Sequence, residues 1–326
     1  MSEVSLGGYQ NKDDTLHLTA DEDYYEWWYL DARFDNGYAC VATFHWVNAF
    51  IRPHIPTVQL FIYTPEGKKY VGMAAVDKKE CSSNPDHCDV KMGKNFLRQD
   101  GETYTYSMHA QKIGAELTYH RRIPGWKQSG TGLLYDEGGK KQGWVIAAPR
   151  SDVEGTLYID GVAVPVKGRG YHDKNWGDSN MYDCFRGWYW GRLYDPKFTL
   201  IYYWLYPVDK KAPVISRLLL AYENKPILIT NDYDLKVEKE EPCTKFGKNL
   251  PMKIVIQSKD TSDVKFHCEL VTTEVKERDQ LPKISEWDQY HWRFLGDHKI
   301  KVTIDGKSVE SEGKAIHEHL TFRPFP

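Results

Sequence analysis

Apolar and aromatic positions recur with a period of two along most of the chain. Short runs such as TVQLFIYT, YTYSMHA and FTLIYYWLY alternate between apolar and polar side chains, as β-strands with one buried face do. Turn signals, among them DNG at 35–37 and IDG at 159–161 and 304–306, separate these runs. The pattern predicts an all-β fold of antiparallel strands joined by hairpins, in the form of a barrel or a sandwich.

The chain is predicted to divide near residue 180. A first set of predicted strands ends in GRGYHDKNWG at 168–177, and a second, more charged set begins with FRGWYWGRLYD. We therefore predict two antiparallel β-barrel or sandwich domains packed together, residues 1–182 and 183–326. Because ligand sites often lie at domain junctions, we expect a pocket at the interface of the two domains.

Composition narrows the range of partners. The 43 basic and 46 acidic side chains leave a net charge of -3, without the basic excess that nucleic-acid binding requires. No segment approaches the roughly 20 apolar residues of a membrane span, and the polar start MSEVSLGGYQNKDD lacks the apolar run of a secretory signal. We expect no nucleic-acid partner, no transmembrane segment and a cytoplasmic location. Peripheral contact with a membrane stays open as a way to collect an apolar substrate.

The cysteines and histidines do not form a recognisable metal motif. Cys81 and Cys88 bracket a turn-like loop, and free thiols are favoured over a disulfide there, although pairing stays open. Of the scattered histidines, only His317 and His319 have the spacing of a strand-borne ligand pair, without a third ligand nearby in sequence. A phosphate-binding glycine loop and a nucleophile elbow are also missing from the sequence. We predict neither a metal nor a cofactor.

The segment GRGYHDKNWG concentrates polar groups beside aromatic ones. If it is a strand, its two faces carry Tyr171, Asp173 and Asn175 on one side and His172, Lys174 and Trp176 on the other. In an apolar pocket, burial would raise the pKa of Asp173 and keep a proton available for catalysis. On spacing alone, the competing interpretation is favoured, in which Asp173 is structural and either pairs with Arg169 or Lys174 or caps a turn.

Two aromatic segments are candidates for the wall of a substrate site. In EWWYLD at 26–31, either face of the predicted strand could line a cavity. Trp188 and Trp190 project to the same side of another predicted strand, and indole faces stabilise a nearby cation by roughly 0.5–2 kcal/mol. Ordinary core packing is the alternative for both segments.

Four segments of the chain together resemble a known family. EWWYLDARFDNGY, WVIAAPRSDVEGTLYIDG, GRGYHDKNWGD and WYWGRL are similar, in order and spacing, to the lipocalin-like hydratases, which include carotenoid 1,2-hydratases, kievitone hydratase and fungal Diels–Alderases. The resemblance implies two lipocalin-like β-barrel domains, a substrate cavity, and neither metal nor organic cofactor. It also implies that Asp173 is the acid that protonates an isoprenoid double bond, with Tyr171 beside it.

One departure from the family concerns water addition. The carotenoid hydratases carry a histidine two residues before a tryptophan, and the matching residues here are Gln142 and Trp144. Glutamine cannot relay a proton at neutral pH, because its amide does not titrate. This puts simple hydration in doubt and leaves room for cyclisation.

The leading hypothesis is therefore an acid-catalysed, cofactor-independent enzyme that acts on an isoprenoid or polyene alkene. Asp173 would donate the proton, oriented by Tyr171 and Asn175, and the product would arise by hydration or cyclisation. The expected substrate contacts are Glu26, Trp28, Gln142, Trp144, Trp188 and Trp190. The alternatives are a pericyclase, in which Asp173 would be structural, and a carrier of hydrophobic ligands without chemistry.

Overall fold

The fold is almost entirely β-structure. A computed structural model describes residues 4–19, 21–49, 55–243, 245, 247–259, 264–281 and 288–324. Strands account for 69% of the residues and helices for 4%, which confirms the predicted all-β class. The helical elements are α1 (Met181–Cys184) and the 3-10 turns Asn11–Asp14, Lys78–Glu80 and Gln128–Gly130. Among the described residues, no helix has both the length and the apolar character that crossing a bilayer requires.

The chain forms two compact units, one of Ser5–Cys184 and one that joins Met1–Val4 to Phe185–Pro326. The bounds of the two lipocalin-like domains, 1–182 and 183–326, stay a prediction. Each unit contains one curled antiparallel sheet with a hydrophobic core of its own.

Thirteen strands build the sheet of the first unit. They are β1 (Tyr25–Phe34), β2 (Ala39–Val47), β3 (Thr57–Tyr63), β4 (Lys69–Ala75), β5 (Cys81–Ser83), β6 (Asp89–Met92), β7 (Asn95–Asp100), β8 (Thr103–Ala110), β9 (Ile113–Arg121), β10 (Trp126–Lys127), β11 (Leu133–Glu137), β12 (Lys140–Ile159) and β13 (Val162–Gly177). Their order across the sheet is β4-β3-β2-β1-β13-β12-β9-β8-β7-β6-β5, with β10 and β11 on β12.

The first sheet curls until its distant strands approach each other. Strands β3 and β4 return to β8 and β9, although they are far apart in the hydrogen-bonded order. At one such contact, a Cβ on Gly72 would lie 2.5 Å from the backbone oxygen of Ala110. Only glycine permits this approach, because any side chain would collide with the facing strand.

Strand alternation divides the side chains of β1 and β13 between two faces. One face, which we call the core face, carries Trp28, Leu30 and Phe34, which pack into the hydrophobic cluster of the unit. The opposite face carries Tyr171, Asp173 and Asn175, and we call it the Asp173 face. Register decides this division, because partners across a strand pair project to the same side.

Nine strands build the sheet of the second unit. They are β14 (Phe185–Tyr194), β15 (Phe198–Pro207), β16 (Ile215–Tyr222), β17 (Lys225–Thr230), β18 (Tyr233–Cys243), β19 (Lys248–Ser258), β20 (Lys265–Leu281), β21 (Gln289–Ile304) and β22 (Lys307–Thr321). Their order is β17-β16-β15-β14-β22-β21-β20-β19-β18. The core of this unit packs aliphatic and aromatic side chains from almost every strand.

All six cysteines are free thiols, including Cys81 and Cys88. Cys88 is fully buried in the first core, whereas Cys81 lies partly exposed at the start of β5. The disulfide that the sequence left open is therefore not formed.

Candidate active site

Strands β1 and β12 flank Asp173 in the middle of the first sheet. Asp173 pairs with Tyr29 of β1, and its neighbour Asn175 pairs with both Trp27 of β1 and Trp144 of β12. These partners therefore project onto the Asp173 face.

Two successive irregularities interrupt β12 opposite the candidate residues. Val145 pairs with Lys174 and Ala148 with His172, so two residues of β12 stand opposite Asp173 alone. The next pair is Ser151 with Gly170, so two further residues stand opposite Tyr171. Such β-bulges occur preferentially beside active sites, where they change the direction of side chains.

Three hydrogen-bond donors converge on the Asp173 carboxyl group. The Tyr171 hydroxyl donates to Oδ2 over 2.7 Å, and the Trp144 indole Nε1 donates to the same oxygen over 2.9 Å. The Asn175 amide donates to Oδ1 over 2.9 Å. The two neighbours expected from the GRGYHDKNWG segment are thus present, and the structure adds the indole of Trp144.

Burial dominates the ionisation of Asp173. Only 4% of the residue is exposed, and burial raises the pKa of its carboxyl group to about 7, against the opposing hydrogen bonds from Tyr171 and Trp144. In the described part of the chain, no lysine or arginine forms an ion pair with Asp173, so the competing pairing with Arg169 or Lys174 is not found. The group is therefore poised to exchange a proton near neutral pH.

Aromatic rings surround this carboxyl group. Tyr29 contacts the ring of Tyr171 edge-on at 6.2 Å between centroids, and Trp126 contacts Trp144 in the same way at 5.9 Å. All four side chains are buried. The surroundings are therefore poor in water and rich in π-electron density, which favours a cationic species in contact with the rings.

His45 is a residue on the Asp173 face that the sequence reasoning did not select. It pairs with Trp27 across β1 and β2, and the two rings lie 5.8 Å apart. Burial lowers the pKa of His45 to about 4 despite a hydrogen bond with Gln59, so the ring is neutral at pH 7. Its Nδ1 has no hydrogen-bond partner among the described residues. Only the register of β2 reveals its position.

Comparison with curated proteins finds two relatives. A hydroxyneurosporene dehydrogenase of Chlorobaculum tepidum is 39% identical over 66 residues, which cover 18% of this chain and 17% of the relative. An acyclic carotenoid 1,2-hydratase of Thiocapsa roseopersicina is 25% identical over 195 residues, 55% of this chain and 47% of the relative. The alignments thus span less than half of either relative. A scan of family models finds no match.

Solved structures match over nearly the whole chain. CghA with Sch210972 superposes with a TM-score of 0.70 at 13% identity, covering 93% of this chain and 89% of that one. A structure from Nitrosomonas europaea that is described as AttH superposes with a TM-score of 0.66 at 14% identity, covering 94% of this chain and 97% of that one. Kievitone hydratase of Nectria haematococca superposes with a TM-score of 0.61 at 14% identity, covering 91% of this chain and 89% of that one. The resemblance to the lipocalin-like hydratases is confirmed. At these identities the structural likeness establishes the fold alone.

In this lipocalin-like fold, Glu26 and Trp28 are separated from Asp173. Trp28 pairs with Lys174, and Glu26 with Trp176, which sends both to the core face. The Trp28 indole donates to the carbonyl of Asp14 over 2.9 Å. The expectation that these two residues would line one substrate site with Asp173 is therefore corrected. The residues of β1 that share the Asp173 face are Trp27 and Tyr29.

The core face of β13 holds a buried ionic network. The Lys174 ammonium pairs with the Glu26 carboxylate and lies 2.6 Å from His17 Nδ1. Burial alone would raise the pKa of Glu26, but Lys174 and His17 hold it below its usual value. Nearby, His172 Nε2 lies 2.9 Å from the Asp14 carboxylate. Both Lys174 and His172 are fully buried, so this face of β13 lies in the core and not in solvent.

Gln142 lies on the Asp173 face and its amide is fully engaged. Its Oε1 accepts from the Tyr25 hydroxyl, and its Nε2 donates over 2.9 Å to both the backbone oxygen and the hydroxyl of Ser179. The side chain therefore ties β12 to β1 and to the segment after β13. Its substrate-binding role stays a prediction.

Trp188 and Trp190 belong to the second unit. They pair with Leu320 and Glu318 of β22 and share one face of that sheet, as the alternation predicts. Beside them, Arg293 bonds the carboxylates of Glu277 and Glu318. Their expected part in the substrate wall stays a prediction.

Two clusters have the proximity that metal ligands require. Ligand atoms of Asp14, Cys88 and His172 lie within 4.8 Å of one another in the first core, and those of Glu277, Asp279 and His291 do so in the second unit. In the first cluster the imidazole is already hydrogen-bonded to the carboxylate. The first cluster joins distant parts of the sequence, so spacing along the chain could not reveal it.

The histidine pair that the sequence singled out has a different environment. His317 stacks on Phe294 and its Nε2 lies 3.0 Å from the Thr272 hydroxyl, while His319 stacks on Trp292. Burial lowers the pKa of both histidines to about 3. Both rings therefore act as neutral packing elements beside a small hydrophobic cluster of the second unit, which includes Trp292 and Phe294.

Proposed function

We propose that this protein is an enzyme that protonates a carbon–carbon double bond of an isoprenoid or polyene substrate, with Asp173 as the acid and without a cofactor. The observation that carries the proposal is a buried carboxyl group with a pKa of about 7 that receives only neutral hydrogen-bond donors. Such a group keeps its proton near neutral pH and can donate it to a reacting substrate. The substrate would be an apolar small molecule, collected by diffusion or through peripheral contact with a membrane.

The hydrogen-bond pattern indicates which carboxyl oxygen carries the proton. Oδ2 already accepts from Tyr171 and Trp144, whereas Oδ1 accepts from Asn175 alone. We therefore assign the proton to Oδ1. In the reaction, the π-electron pair of the alkene forms the new C–H bond, the O–H pair stays on Oδ1, and a carbocation and a carboxylate result. The three donors then stabilise that carboxylate.

The carbocation has two productive fates. Attack by water followed by proton loss gives an alcohol, and attack by an internal alkene or hydroxyl gives a ring. The complete engagement of Gln142 with Tyr25 and Ser179 favours the second fate, because no titrating group stands where the carotenoid hydratases carry their histidine. Cyclisation with final proton loss returns a proton to the enzyme without a net change in composition.

We assign His45 as the acceptor of that final proton. It is neutral at pH 7, and its Nδ1 has no partner among the described residues. It lies two strands from Asp173, roughly 10 Å across the sheet at the usual strand spacing. A weak base is sufficient here, because a carbocation is a far stronger acid than imidazolium. An extended substrate could therefore meet the acid at one point and the base at another.

Solvent isotope incorporation tests the proposal. In D₂O, proton-initiated cyclisation or hydration should place one deuterium on the carbon that Asp173 protonates, and mass spectrometry of the product measures it. Asp173→Asn should reduce turnover of an acyclic isoprenoid by at least about 10³-fold. The matched control is Asp152→Asn, at a half-exposed aspartate of β12 that forms an ion pair with Arg122.

Other outcomes of this experiment identify the alternatives. A product without deuterium, with turnover only mildly lowered in Asp173→Asn, would indicate a pericyclase that folds a polyene and polarises it through hydrogen bonds. Binding of the substrate without any product would indicate a carrier. Either result would overturn the assignment of Asp173 as the acid.

A further inference from the structure

The second unit contains an open cavity of about 420 Å³ at the end of the β14–β15 pair. This volume lies within the range of small-molecule sites. The residues that line it are Arg186, Tyr206, Pro207, Asp209, Lys210, Ala212, Val214 and Pro324. They all come from the second unit, so an inference about this cavity is independent of the chemistry proposed at Asp173.

Arg186 is the unusual member of this lining. Its exposure is only 8%, and its guanidinium Nε has no hydrogen-bond partner among the described residues. Elsewhere in the unit, the buried Arg293 is bonded by two carboxylates. Burying a guanidinium without an anion is unfavourable, because the charge loses its hydration and no ion pair offsets that loss. A buried arginine that faces a cavity therefore indicates an anionic ligand.

The backbone fixes the position of Arg186. Phe185 pairs with Pro207 and Gly187 with Tyr206, so Arg186 is the extra residue of a β-bulge. Its carbonyl oxygen also accepts hydrogen bonds from the backbone amides of Phe322 and Arg323, at 2.8 and 2.9 Å. A bulge directs a side chain away from the regular alternation. The backbone from which the Arg186 side chain projects is thus held in place by the fold.

The remaining polar groups leave the cavity positive. Lys210 is exposed and adds a second cation to the lining. Asp209 is the only acid of the lining, and its carboxylate accepts a hydrogen bond from the backbone amide of Lys211 at 2.9 Å, within the turn that follows β15. Two cations and one anion give the lining a charge of +1. An anion entering the cavity would therefore be attracted.

The other walls are apolar. Pro207, Ala212, Val214 and Pro324 offer aliphatic surface, and Tyr206 offers a ring. An inorganic anion would leave this surface in contact with water. A ligand with an apolar body would cover it and gain about 25 cal/mol for each Å² removed from water.

We infer that this cavity binds a small carboxylate with an apolar body, whose anionic group meets the guanidinium of Arg186. The planar guanidinium matches the two oxygens of a carboxylate and bonds them in parallel. The apolar body would lie against Pro207 and Val214, and Lys210 would draw the ligand in. The cavity is thereby assigned as a second small-molecule site of the chain.

Calorimetric titration of the full-length protein tests this inference with three probes. Octanoate carries both the charge and the apolar body, octanamide carries the body without the charge, and inorganic phosphate carries charge without the body. We expect octanoate to bind at least tenfold more tightly than either of the others. Its affinity should fall as salt is raised, because one ion pair contributes to it.

Two variants assign the binding to Arg186. Arg186→Gln should weaken octanoate at least tenfold, and Arg186→Lys should fall between the two because it keeps the charge but not the paired geometry. The control is Lys301→Gln on β21, which removes one charge from an exposed ion pair with Glu310 of β22. This change should leave the affinity for octanoate unchanged. Thermal unfolding provides a check on folding. Arg186→Gln without ligand should melt no lower than the wild type, and octanoate should raise only the wild-type Tm.

Three results would overturn the inference. Equal affinity for octanamide would mean that the cavity recognises apolar bodies without charge. Equal affinity for phosphate would mean that it is a site for free anions. Octanoate binding that survives Arg186→Gln, or the absence of binding at millimolar concentration, would remove Arg186 from any ligand site.

Discussion

The ionisation of Asp173 is set by two opposing effects on a single carboxyl group. Burial penalises the charged form and raises the pKa, while the donors Tyr171 and Trp144 stabilise the carboxylate and lower it. Burial prevails, and the pKa comes to about 7. The same donors would stabilise the carboxylate after proton transfer, so the carboxyl group is both able to keep its proton and able to release it.

The first prediction concerns pH and activity. The acid is protonated below pH 7, so kcat/KM on an alkene substrate should be constant at low pH and fall about tenfold per pH unit above the inflection. Tyr171→Phe removes a hydrogen bond that lowers the pKa of Asp173, so it should move the inflection to higher pH. A rate that rises through pH 7 would contradict the acid role.

The second prediction concerns pH and stability. The folded-state pKa of Asp173 is raised above its value of 3.8 in an unfolded chain, so its contribution to stability is fully present below pH 4 and is lost as the pH rises to 7. The loss is of the order of 4 kcal/mol at most. Asp173→Asn cannot ionise and should gain stability relative to the wild type over this window, measured by urea unfolding at pH 4 and pH 8. Asp152→Asn should show no such gain.

The third prediction concerns His45. If it accepts the final proton, His45→Gln should change the product ratio toward water-trapped alcohols, while consumption of substrate falls less than about tenfold. Chromatography of the products measures the ratio. His109→Gln, at an exposed histidine of β8, is the control and should leave the ratio unchanged. An unaltered product ratio in His45→Gln would assign the proton loss to another base.

At the scale of the element, β13 has charged or titratable groups on both faces, and each face serves a different purpose. Asp173 has only neutral donors on one side, whereas Lys174 and Glu26 form a fully buried ion pair on the other. Breaking such a pair on one side leaves an uncompensated charge in the core. The core-face network is therefore expected to hold the strand in register beneath Asp173.

The fourth prediction tests this network. Lys174→Met should destabilise the protein by about 3–5 kcal/mol, because it leaves the Glu26 carboxylate buried without its cation. The double variant Lys174→Met with Glu26→Gln should recover much of that loss. Urea unfolding at one pH measures both. If the double variant were as unstable as the single one, packing rather than charge would determine the loss.

The sequence predicts well whatever depends on one strand alone. The all-β class followed from alternation and turn signals, and the grouping of Tyr171, Asp173 and Asn175 followed from the period of two within β13. Their partner Trp144 came only from the family resemblance, because its contact depends on the pairing of β12.

What depends on register between strands was not predictable. Both faces of β1 are aromatic, so nothing in EWWYLD indicates that Tyr29 rather than Trp28 pairs with Asp173. A shift of one residue in the pairing exchanges the two faces. Glu26 and Trp28 were misplaced for this reason, and His45 was missed because β2 is nearly uniformly buried.

At the scale of the whole molecule, two units with separate cores make up the chain. Buried thiols lie in both, so the cysteines report on each unit independently. The fully or largely buried cysteines are Cys40, Cys88, Cys184, Cys243 and Cys268. Only Cys81 is partly exposed, and its partial burial together with Asp77 and Glu80 raises its pKa.

The fifth prediction follows from this distribution. About one thiol per chain should react with Ellman's reagent in the native protein, more slowly than a free thiol because the thiolate is the reactive form. Cys81→Ser should abolish that reaction, and the remaining thiols should react only on unfolding. A second fast thiol in the native protein would mean that one of the cores opens readily.

The two bulges of β12 also have a consequence for how this chain can change by insertion and deletion. Each bulge reverses the alternation of the strand, so the second restores what the first inverts, and Trp144 and Asp152 share one face. Deleting a single codon between Ile146 and Arg150 would leave the strand out of phase and turn either its first or its second half inside out. Deleting one codon from each bulge would keep the phase and flatten the strand opposite Tyr171 and Asp173. Deletion variants that still fold should therefore have lost one residue from each bulge. Such variants would keep the fold but lose the shape of the site.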